Sequence, residues 1–359
     1  MKGQLLKSLY PLVISFMCLG SLMTILIWYV YSNDVDPHIP PKKYDICKDC
    51  KEVIEKLMER YSQTWEKQDY NYLKFRSQLS SKCNGFEKAI ITQANTPVGH
   101  KIMYAGEKRT LEVTPEIFST FVKEHPFSNK TWDTCAVVGN GGILTDSGCG
   151  EMIDSAQFVI RCNLPPVENG YEKHVGVKTD LVTANPSILG KKYGSLMGCR
   201  RQFVEDLRIY GNSLLLLPAF SFGRDTPQCL RAAYTMEDFG KPMQPVFLNP
   251  EYLKSLAGFW RDQGLAEMRL STGIIMASLA LELCSNVHLY GFWPFSYHPH
   301  ERYTLTNHYY DDLKADNSIH AMPAEFDLLS QLHRQGVLKL HLGDCRPRKK
   351  ETLGQLTEK

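Results

Sequence analysis

Short, mainly apolar runs recur along the central part of the chain, and most are followed by a turn residue or a polar residue. The runs are Cys135–Val138, Phe158–Ile160, Leu181–Thr183, Leu214–Leu217, Val246–Leu248, Val287–Tyr290 and Val337–Leu342. Leu214–Leu217 is fully apolar, and short runs of this kind are typical of strands that are buried on both faces of a parallel sheet. They predict a sheet at the centre of the fold.

Helical patterns lie between several of these runs. Asn249 and Pro250 predict the start of a helix, because Asn caps helices and Pro suits their first position. Ile274–Cys284 has helical composition, and a further helix is predicted over 323–336. Strands that alternate with helices predict an α/β fold, with a mostly parallel, Rossmann-like sheet and helices on both faces.

The N-terminal region contains one long stretch without charge. Leu9–Tyr31 has 23 residues and no charged side chain, which is enough to cross the roughly 30 Å hydrocarbon core of a bilayer. A cleaved signal peptide is the alternative, but its apolar region is shorter, and Trp28 and Tyr29 stand where a small-residue cleavage site is needed. The stretch predicts a transmembrane signal-anchor.

The charges around this stretch predict its orientation. Lys2 and Lys7 precede it, and Asp34 and Asp36 follow it, which favours a cytosolic N-terminus and a luminal C-terminus, as in a type II membrane protein. The predicted organisation is a cytosolic tail (1–8), a transmembrane helix (9–31), a luminal stem (32–85), a catalytic domain (86–345) and a polar tail (346–359).

The predicted stem combines a proline-containing linker with a charged helical segment. Residues 50–79 are rich in Lys, Glu and Gln, with apolar residues at helical spacing between positions 53 and 61. The pattern predicts a solvated helix that holds the catalytic domain away from the membrane. The alternative is a surface through which the stem forms a homodimer.

Composition narrows the class of protein. A formal net charge of +2 gives no sign of a nucleic-acid partner. Eleven cysteines in 359 residues indicate an oxidising compartment. Cys47 and Cys50 have no second Cys or His pair nearby, which favours a disulfide, local or between chains, over a zinc site.

Two segments have the residue types of a phosphate-binding or nucleotide-binding site. Gly139–Gly142 predicts a glycine turn, and Leu144 stands where the dinucleotide fingerprint requires Gly or Ala, which argues against a nicotinamide or flavin cofactor. Ser271–Gly273 opens a predicted helix, whose unpaired backbone N–H groups favour a phosphate or ribose oxygen. From these residues alone, a plain turn and a plain N-cap are the alternatives.

Four segments, taken in order, resemble the motifs of the animal sialyltransferases, which are Golgi enzymes. Residues 135–166 (CAVVGNGGILTDSGCGEMIDSAQFVIRCNLPP) resemble the large sialylmotif, and Arg269–Phe292 resembles the small sialylmotif. His308–Asp311 (HYYD) resembles motif III, and His320 with Glu325 has the spacing of the very small motif. The resemblance covers residues from about 85 to 345 and implies a variant GT-A type of the Rossmann-like fold.

The resemblance also implies which residues serve donor binding and catalysis. The family's donor is CMP-sialic acid, and the implied donor contacts are Asn140, Asn163, Ser271, Thr272, Gly273, Trp293 and His308. His308 is expected to contact the departing phosphate. His320 is the expected general base, because imidazole titrates near neutrality, and Glu325 is expected to orient it or to favour its charged form.

No metal or other cofactor is expected. Metal-dependent glycosyltransferases of another type hold a nucleotide diphosphate through an Asp-x-Asp motif and a divalent cation. The Asp-x-Asp triplet of this chain, Asp34 to Asp36, lies next to the predicted membrane span and far from the motifs. A metal cluster of His298, His300 and His308 is the competing interpretation.

Covalent features follow from the resemblance and from the predicted luminal location. The family pattern pairs Cys135 with Cys284 and, in its α2,8 members, Cys149 with Cys345. Asn129 begins the usable N-glycosylation sequon.

The resemblance is greatest to one branch of the family. Segments such as RCNLPP, TANPS and HAMP are most similar to the α2,8-sialyltransferases. Residues 101–134 hold five basic and five acidic side chains, so they lack a basic track for a growing polyanion, and Gly141 stands where polymerising members tend to have Ser. This indicates the mono- or oligosialyl type.

The expected activity is an inverting transfer of sialic acid to the 8-hydroxyl of a terminal sialic acid. The acceptor is expected to be a sialylated glycolipid such as a ganglioside, or a sialylated glycoprotein glycan, and the place is the lumen of the Golgi apparatus. A sialyltransferase of different linkage and a catalytically inactive, sialoside-binding homologue are the alternatives.

Overall fold

The computed structural model describes most of the chain between Lys48 and Cys345. The described residues are 23–24, 48–61, 64–128, 130–240, 243–265, 269–300, 303–313 and 322–345. Several predictions concern residues outside these ranges, namely the transmembrane helix apart from Met23 and Thr24, the sequon at Asn129, the expected base His320 and the tail. Among the described residues, no helix is both long and apolar enough to cross a membrane.

A parallel sheet forms the core of the unit Val53–Lys359. Its strands are β3 (Trp132–Val138), β4 (Phe158–Arg161), β5 (Leu181–Thr183), β6 (Leu214–Leu217), β7 (Gln244–Phe247), β8 (Cys284–Tyr290) and β9 (Lys339–His341), and a separate antiparallel pair is formed by β1 (Lys101–Met103) and β2 (Thr110–Glu112). Over the described residues the strand order is β7-β6-β5-β4-β3-β8-β9. The predicted parallel sheet is confirmed, whereas the small antiparallel pair was not predicted.

The strand order reverses at β3. One side of β3 pairs with β4 and the other with β8, so the chain runs outward to β7 before it returns beside β3. Ligands of such sheets bind in the crevice at the carboxyl ends of the strands where the order reverses. The topology therefore predicts a site just beyond Val138, Arg161 and Tyr290.

Helices cover both faces of the sheet, as predicted. They are α1 (Lys48–Tyr61), α2 (Asp69–Cys83), α3 (Gly85–Lys88), α4 (Pro115–Ser119), α5 (Gly150–Asp154), α6 (Glu172–Val175), α7 (Pro186–Lys191), α8 (Arg200–Leu207), α9 (Thr226–Asp238), α10 (Pro250–Asp262), α11 (Thr272–Leu283) and α12 (Met322–Arg334). Alternate residues of β3 belong to two different hydrophobic cores. Cys135 and Val137 pack in one core with residues of α2, α10, α11 and α12. Ala136 and Val138 pack in the other with residues of α7, α8 and α9.

Two disulfides tie distant parts of the chain to the sheet. Cys135 is bonded to Cys284 and Cys149 to Cys345, with Cα–Cα distances of 5.9 and 4.8 Å. These are the pairings that the resemblance implied. Because they close loops of 149 and 196 residues, each contributes on the order of 5 kcal/mol in the chain-entropy model. Cys284 was predicted as a helical residue but begins β8, opposite Trp132 of β3.

Residues 53–83 pack against the catalytic domain, so the prediction of a solvated stem helix was wrong for this segment. Ile54 on α1 is only 4% exposed, and Tyr72, Phe75 and Leu79 on α2 are buried in the same core as the sheet. The spacing of the apolar residues correctly predicted a helix. A helical pattern does not by itself distinguish a solvated helix from one packed on a neighbouring element.

One part of this segment, Tyr61 with residues 64–71, is here called the strap. The Tyr61 hydroxyl donates to Leu340 O (3.0 Å) and accepts from Leu342 N (3.2 Å), beside β9, the outer strand. The Trp65 indole N–H donates to His333 O (3.0 Å), and both aromatic rings stack on the His333 ring. The strap therefore fastens the C-terminal end of α12 and covers a sheet edge that would otherwise be open to other strands.

Buried histidines predict that the fold loses stability in acid. Burial lowers the pKa of His125, His288 and His333 to about 4, and that of His341 well below its usual value. An unfolded His titrates near pH 6.5, so between that pH and about 4 the unfolded chain binds more protons and the free energy of unfolding falls as pH falls. Burial also raises the pKa of carboxyls such as Glu282, which contributes to the free energy of unfolding with the opposite sign as the pH falls. The pKa shifts of the histidines are larger.

The melting temperature of the purified protein is therefore expected to fall steadily as the pH is lowered from about 7 to about 4.5. Thermal unfolding at constant ionic strength measures this. A melting temperature that is constant or rises over the same range would contradict the assignment of these histidines as neutral buried groups.

Candidate active site

A cavity of about 290 Å³ lies where the sheet reverses. The turns after β3, β4 and β8, the start of α11 and the first turn of α12 form its walls. The donor residues predicted from the sequence all line it, namely Asn140, Asn163, Ser271, Thr272, Gly273, Trp293 and His308, and so does Glu325. The geometry therefore brings together residues that are up to 185 positions apart (Glu325 minus Asn140) in the chain.

The glycine turn after β3 packs tightly against the turn after β8. Gly141 N donates to Gly291 O (3.1 Å), and a Cβ at Gly141 would lie 2.6 Å from that same oxygen. A Cβ at Gly142 would lie 2.4 Å from Thr306 O. Gly141 and Gly142 are thus required because backbone segments of the protein approach one another there, a constraint that the sequence alone did not distinguish from close approach to a ligand.

Asn140 presents a polar group to this cavity that the protein does not satisfy. Its amide nitrogen donates to Cys162 O (2.7 Å). Its Oδ1 atom is buried, and no donor among the described residues reaches it. A buried acceptor without a partner costs about 1–3 kcal/mol, so a bound molecule that donates a hydrogen bond to Asn140 is favoured.

A chain of side-chain amides connects the ends of β4 and β5 to the start of α11. Asn163 Oδ1 accepts from Asn185 N (3.0 Å), and the Asn185 side chain exchanges hydrogen bonds with Thr272 Oγ1 (3.1 and 3.3 Å). Asn163 adopts a left-handed conformation with φ +62°, which Asn tolerates better than most residues. The chain holds Thr272 in place beside the crevice.

Glu325 contacts the start of α11 from the opposite side. Its Oε1 accepts from Ser271 N (2.7 Å), its Oε2 accepts from Ser271 Oγ, and its side chain is 3% exposed. Ser271 in turn caps α11, because its Oγ accepts from Ile274 N (3.3 Å). The sequence predicted that Glu325 acts on His320, which lies outside the described residues. The structure describes a contact between Glu325 and Ser271, at the start of α11, where a carboxylate also suits the positive end of the helix dipole.

His308 is held in a fixed orientation at the cavity wall. Its Nδ1 lies 2.5 Å from Asp311 Oδ2, and its ring stacks on Tyr310 with centroids 5.1 Å apart. A backbone bridge joins His308 to Gly141. Burial raises the pKa of Tyr310 to about 12, so its hydroxyl remains neutral beside the imidazole.

Trp293 contributes an apolar surface to the cavity. Its indole N–H donates to Tyr297 O (2.9 Å), and its ring packs edge-on against Phe326, with centroids 5.5 Å apart. Only 7% of the residue is exposed. The resemblance placed Trp293 near the donor base or sugar, and in this position it offers packing, since its hydrogen-bond donor is already used.

The histidines of the alternative metal cluster have other contacts. His298 Nδ1 accepts from His300 N (3.2 Å), and the His298 ring stacks on Tyr303 with centroids 4.8 Å apart. In the described part of the chain, no group of three or more His, Cys, Asp or Glu side chains is placed to hold a metal ion.

Comparison with known proteins identifies the family. A family model described as glycosyltransferase family 29 (sialyltransferase) matches residues 87–337. The chain belongs to this family. The predicted donor residues, His320 and Glu325 all lie within the matched segment of this family 29 protein, whereas the strap precedes it.

Its curated relatives include alpha-2,8-sialyltransferase 8F from Homo sapiens, which is 44% identical over 282 residues, 78% of this chain and 71% of the relative. Alpha-N-acetylneuraminide alpha-2,8-sialyltransferase from Xenopus tropicalis is 42% identical over 82% of this chain and 85% of its own length. A crystal structure of a mammalian sialyltransferase aligns over 84% of this chain and 88% of its own, with 18% identity and a TM-score of 0.43.

Three residues of the family 29 site were not predicted as functional. Asn185 follows β5 as Asn163 follows β4, so a polar residue after a second buried strand was the available signal. Asp311 lies within the HYYD segment, at the spacing that lets it reach His308. Phe292 had no such signal, because it matters only through packing: a Cβ at Gly273 would lie 2.9 Å from its ring.

Proposed function

We propose that this protein is an inverting α2,8-sialyltransferase. It transfers sialic acid from CMP-sialic acid to the 8-hydroxyl of a terminal sialic acid on a glycolipid or glycoprotein glycan, one or a few residues at a time. The main support for the proposal is that all four motif segments line the same cavity, with the start of α11 at its wall. Family membership and relatives named as α2,8-sialyltransferases support the reaction and the linkage.

The cavity has the groups that a nucleotide donor needs. Asn140 Oδ1, which lacks a donor among the described residues, accepts from the nucleoside. The first backbone N–H groups of α11 have no partner within the helix, and they favour a phosphate. Trp293 and Phe292 supply apolar surface beside these polar groups.

The reaction requires one proton transfer and one exchange of bonds at the anomeric carbon. His320 takes the proton from the acceptor 8-hydroxyl, and the acceptor oxygen forms a bond to the anomeric carbon on the face opposite the phosphate. The bond to the phosphate oxygen breaks, and its electron pair leaves with CMP, which inverts the configuration. His308, oriented by Asp311, donates a hydrogen bond to the departing phosphate and stabilises its charge.

The proposal places the enzyme in the Golgi membrane as a single-pass type II protein with its catalytic domain in the lumen. The uncharged stretch at residues 9–31 and the cysteines support this location. Release of CMP from CMP-sialic acid, with and without a sialylated acceptor, tests the activity. Stimulation of release by the acceptor is expected, and binding of sialosides without any release would favour the inactive homologue.

Transfer is expected to persist in excess EDTA. The leaving group is a monophosphate, whose charge is met by His308 and the α11 N-terminus, so no divalent clamp is required by the chemistry. Initial rates with EDTA, and with Mn²⁺ added back, check this. Loss of activity in EDTA with recovery in Mn²⁺ would contradict the proposed mechanism.

A further inference from the structure

A second cavity adjoins the donor cavity. Its volume is about 390 Å³, and it lies beyond the carboxyl ends of β5 and β6, beside α10. Asn185 and Thr272, which are hydrogen-bonded to each other, line both cavities. The volume is in the range of small-ligand sites, and the shared wall puts any occupant next to the donor.

The lining of this second cavity combines basic and apolar side chains. Lys254 and Arg261 lie seven positions apart on α10 and so share a helix face, and Arg269 lies two positions before the α11 N-cap. The remaining wall includes Leu253 and Ile275. None of the described residues that line it is acidic.

Arg269 and Lys254 also contact the protein, which positions their charges. The Arg269 guanidinium lies 5.5 Å from the centre of the Phe222 ring, and Lys254 Nζ is 3.4 Å from Met103 O. Asp225 lies close enough to Arg269 for their charges to interact. Burial raises the pKa of Asp225, and Arg224 and Arg269 oppose that shift. Glu107 also raises the pKa of Asp225, so two carboxylates lie near the three cations of the lining and Arg224. The balance of these charges is positive, so the cavity attracts an anion.

The chemistry of transfer defines which anion is needed. The acceptor hydroxyl must come within about 3–3.5 Å of the donor's anomeric carbon, so the acceptor's terminal sugar has to occupy space that adjoins the donor cavity. In the proposed function that sugar is a sialic acid, which carries a carboxylate. A galactose at the same position would carry no charge.

We infer that Arg269, with Lys254 and Arg261, selects sialylated acceptors by binding the carboxylate of their terminal sialic acid in this second cavity. Arg269 is the direct, bidentate partner, because a guanidinium matches a carboxylate with two parallel hydrogen bonds. The two residues of α10 add charge, and the apolar wall packs against the sugar ring. The inference rests on the proposed function and names the residues that determine its acceptor specificity.

Binding of acceptors in the absence of donor tests this inference independently of turnover. Saturation-transfer NMR on the full chain, with α2,3-sialyllactose and lactose as probes, is expected to detect sialyllactose only. Arg269→Gln and the triple variant K254Q/R261Q/R269Q are expected to lose that signal, whereas R201Q, which removes an exposed Arg on α8 paired with Glu205, retains it. Equal signals from lactose, or unchanged signals in the triple variant, would overturn the inference.

Kinetics distinguish the acceptor carboxylate from that of the donor. Loss of a charge-assisted hydrogen bond predicts a rise of about 10–100-fold in the KM for the sialylated acceptor in Arg269→Gln, partly restored in Arg269→Lys. An equal rise in the KM for CMP-sialic acid would assign these cations to the donor and refute the inference. Failure of the wild-type chain to release CMP, with sialoside binding still dependent on Arg269, would refute only the proposed function.

Discussion

Replacing His320 with alanine is expected to lower the rate of transfer by about 10²–10⁴-fold, the usual contribution of a general base. The base acts on the acceptor hydroxyl, so the affinity for CMP is expected to change little. The turnover number with a sialylated acceptor and the affinity for CMP, measured on the same preparation, check both parts of this expectation.

A matched control is available in His100, which is exposed and does not line the donor cavity. His100→Ala is expected to keep wild-type turnover. Turnover near the wild-type rate in His320→Ala would show that another group accepts the proton. Loss of CMP affinity together with turnover would instead indicate that His320 serves the donor.

Deleting residues 1–68 is expected to destabilise the enzyme severely, whereas deleting residues 1–47 is expected to leave it folded and active. The longer deletion removes Ile54 from the core, the Tyr61 hydrogen bonds beside β9 and the Trp65 contact with His333. Loss of a buried Ile side chain alone costs about 2–5 kcal/mol, a large share of a typical stability of about 5–15 kcal/mol, and loss of the partly buried Tyr61 and Trp65 adds to it.

The functional consequence follows from the position of α12. The strap holds the C-terminal end of this helix, and Glu325 in its first turn holds Ser271 at the donor cavity. Melting temperature and donor KM of the two deletions, and of Trp65→Ala, measure the effect. If the chain without residues 1–68 kept wild-type stability and donor KM, these residues would be dispensable, as expected of a stem that does not pack on the catalytic domain.

The sheet was predictable because its strands are local signals. Leu214–Leu217 is a continuous apolar run stopped by Pro218, and the run after Gln244 ends at Asn249 and Pro250. Such strands are buried on both faces, so their composition alone identifies them. The boundary between α11 and β8 was placed wrongly, because Cys284 joins the two without a turn.

The partners of the site residues were harder to predict than the residues themselves. Motif spacing located Ser271 and Glu325, but their mutual hydrogen bonds span 54 positions and depend on how α12 meets α11. The His-x4-Glu spacing suggested His320 as a partner for Glu325, and it gave no sign of the contact between Glu325 and Ser271. Arg269 begins the segment that resembles the small sialylmotif, but neither it nor Arg261 was predicted to bind a ligand, because the two residues meet at one cavity only through the fold.

The proposed activity of this enzyme is the transfer of sialic acid from CMP-sialic acid to the 8-hydroxyl of another sialic acid. Linkage analysis by NMR of the product made by the purified full chain, with CMP-sialic acid and an acceptor that ends in α2,3-linked sialic acid, tests it most directly. One or a few new α2,8-linked residues are expected on that terminal sialic acid. A new residue linked to galactose, or a ladder beyond about ten units, which a basic track would be needed to sustain, would contradict it.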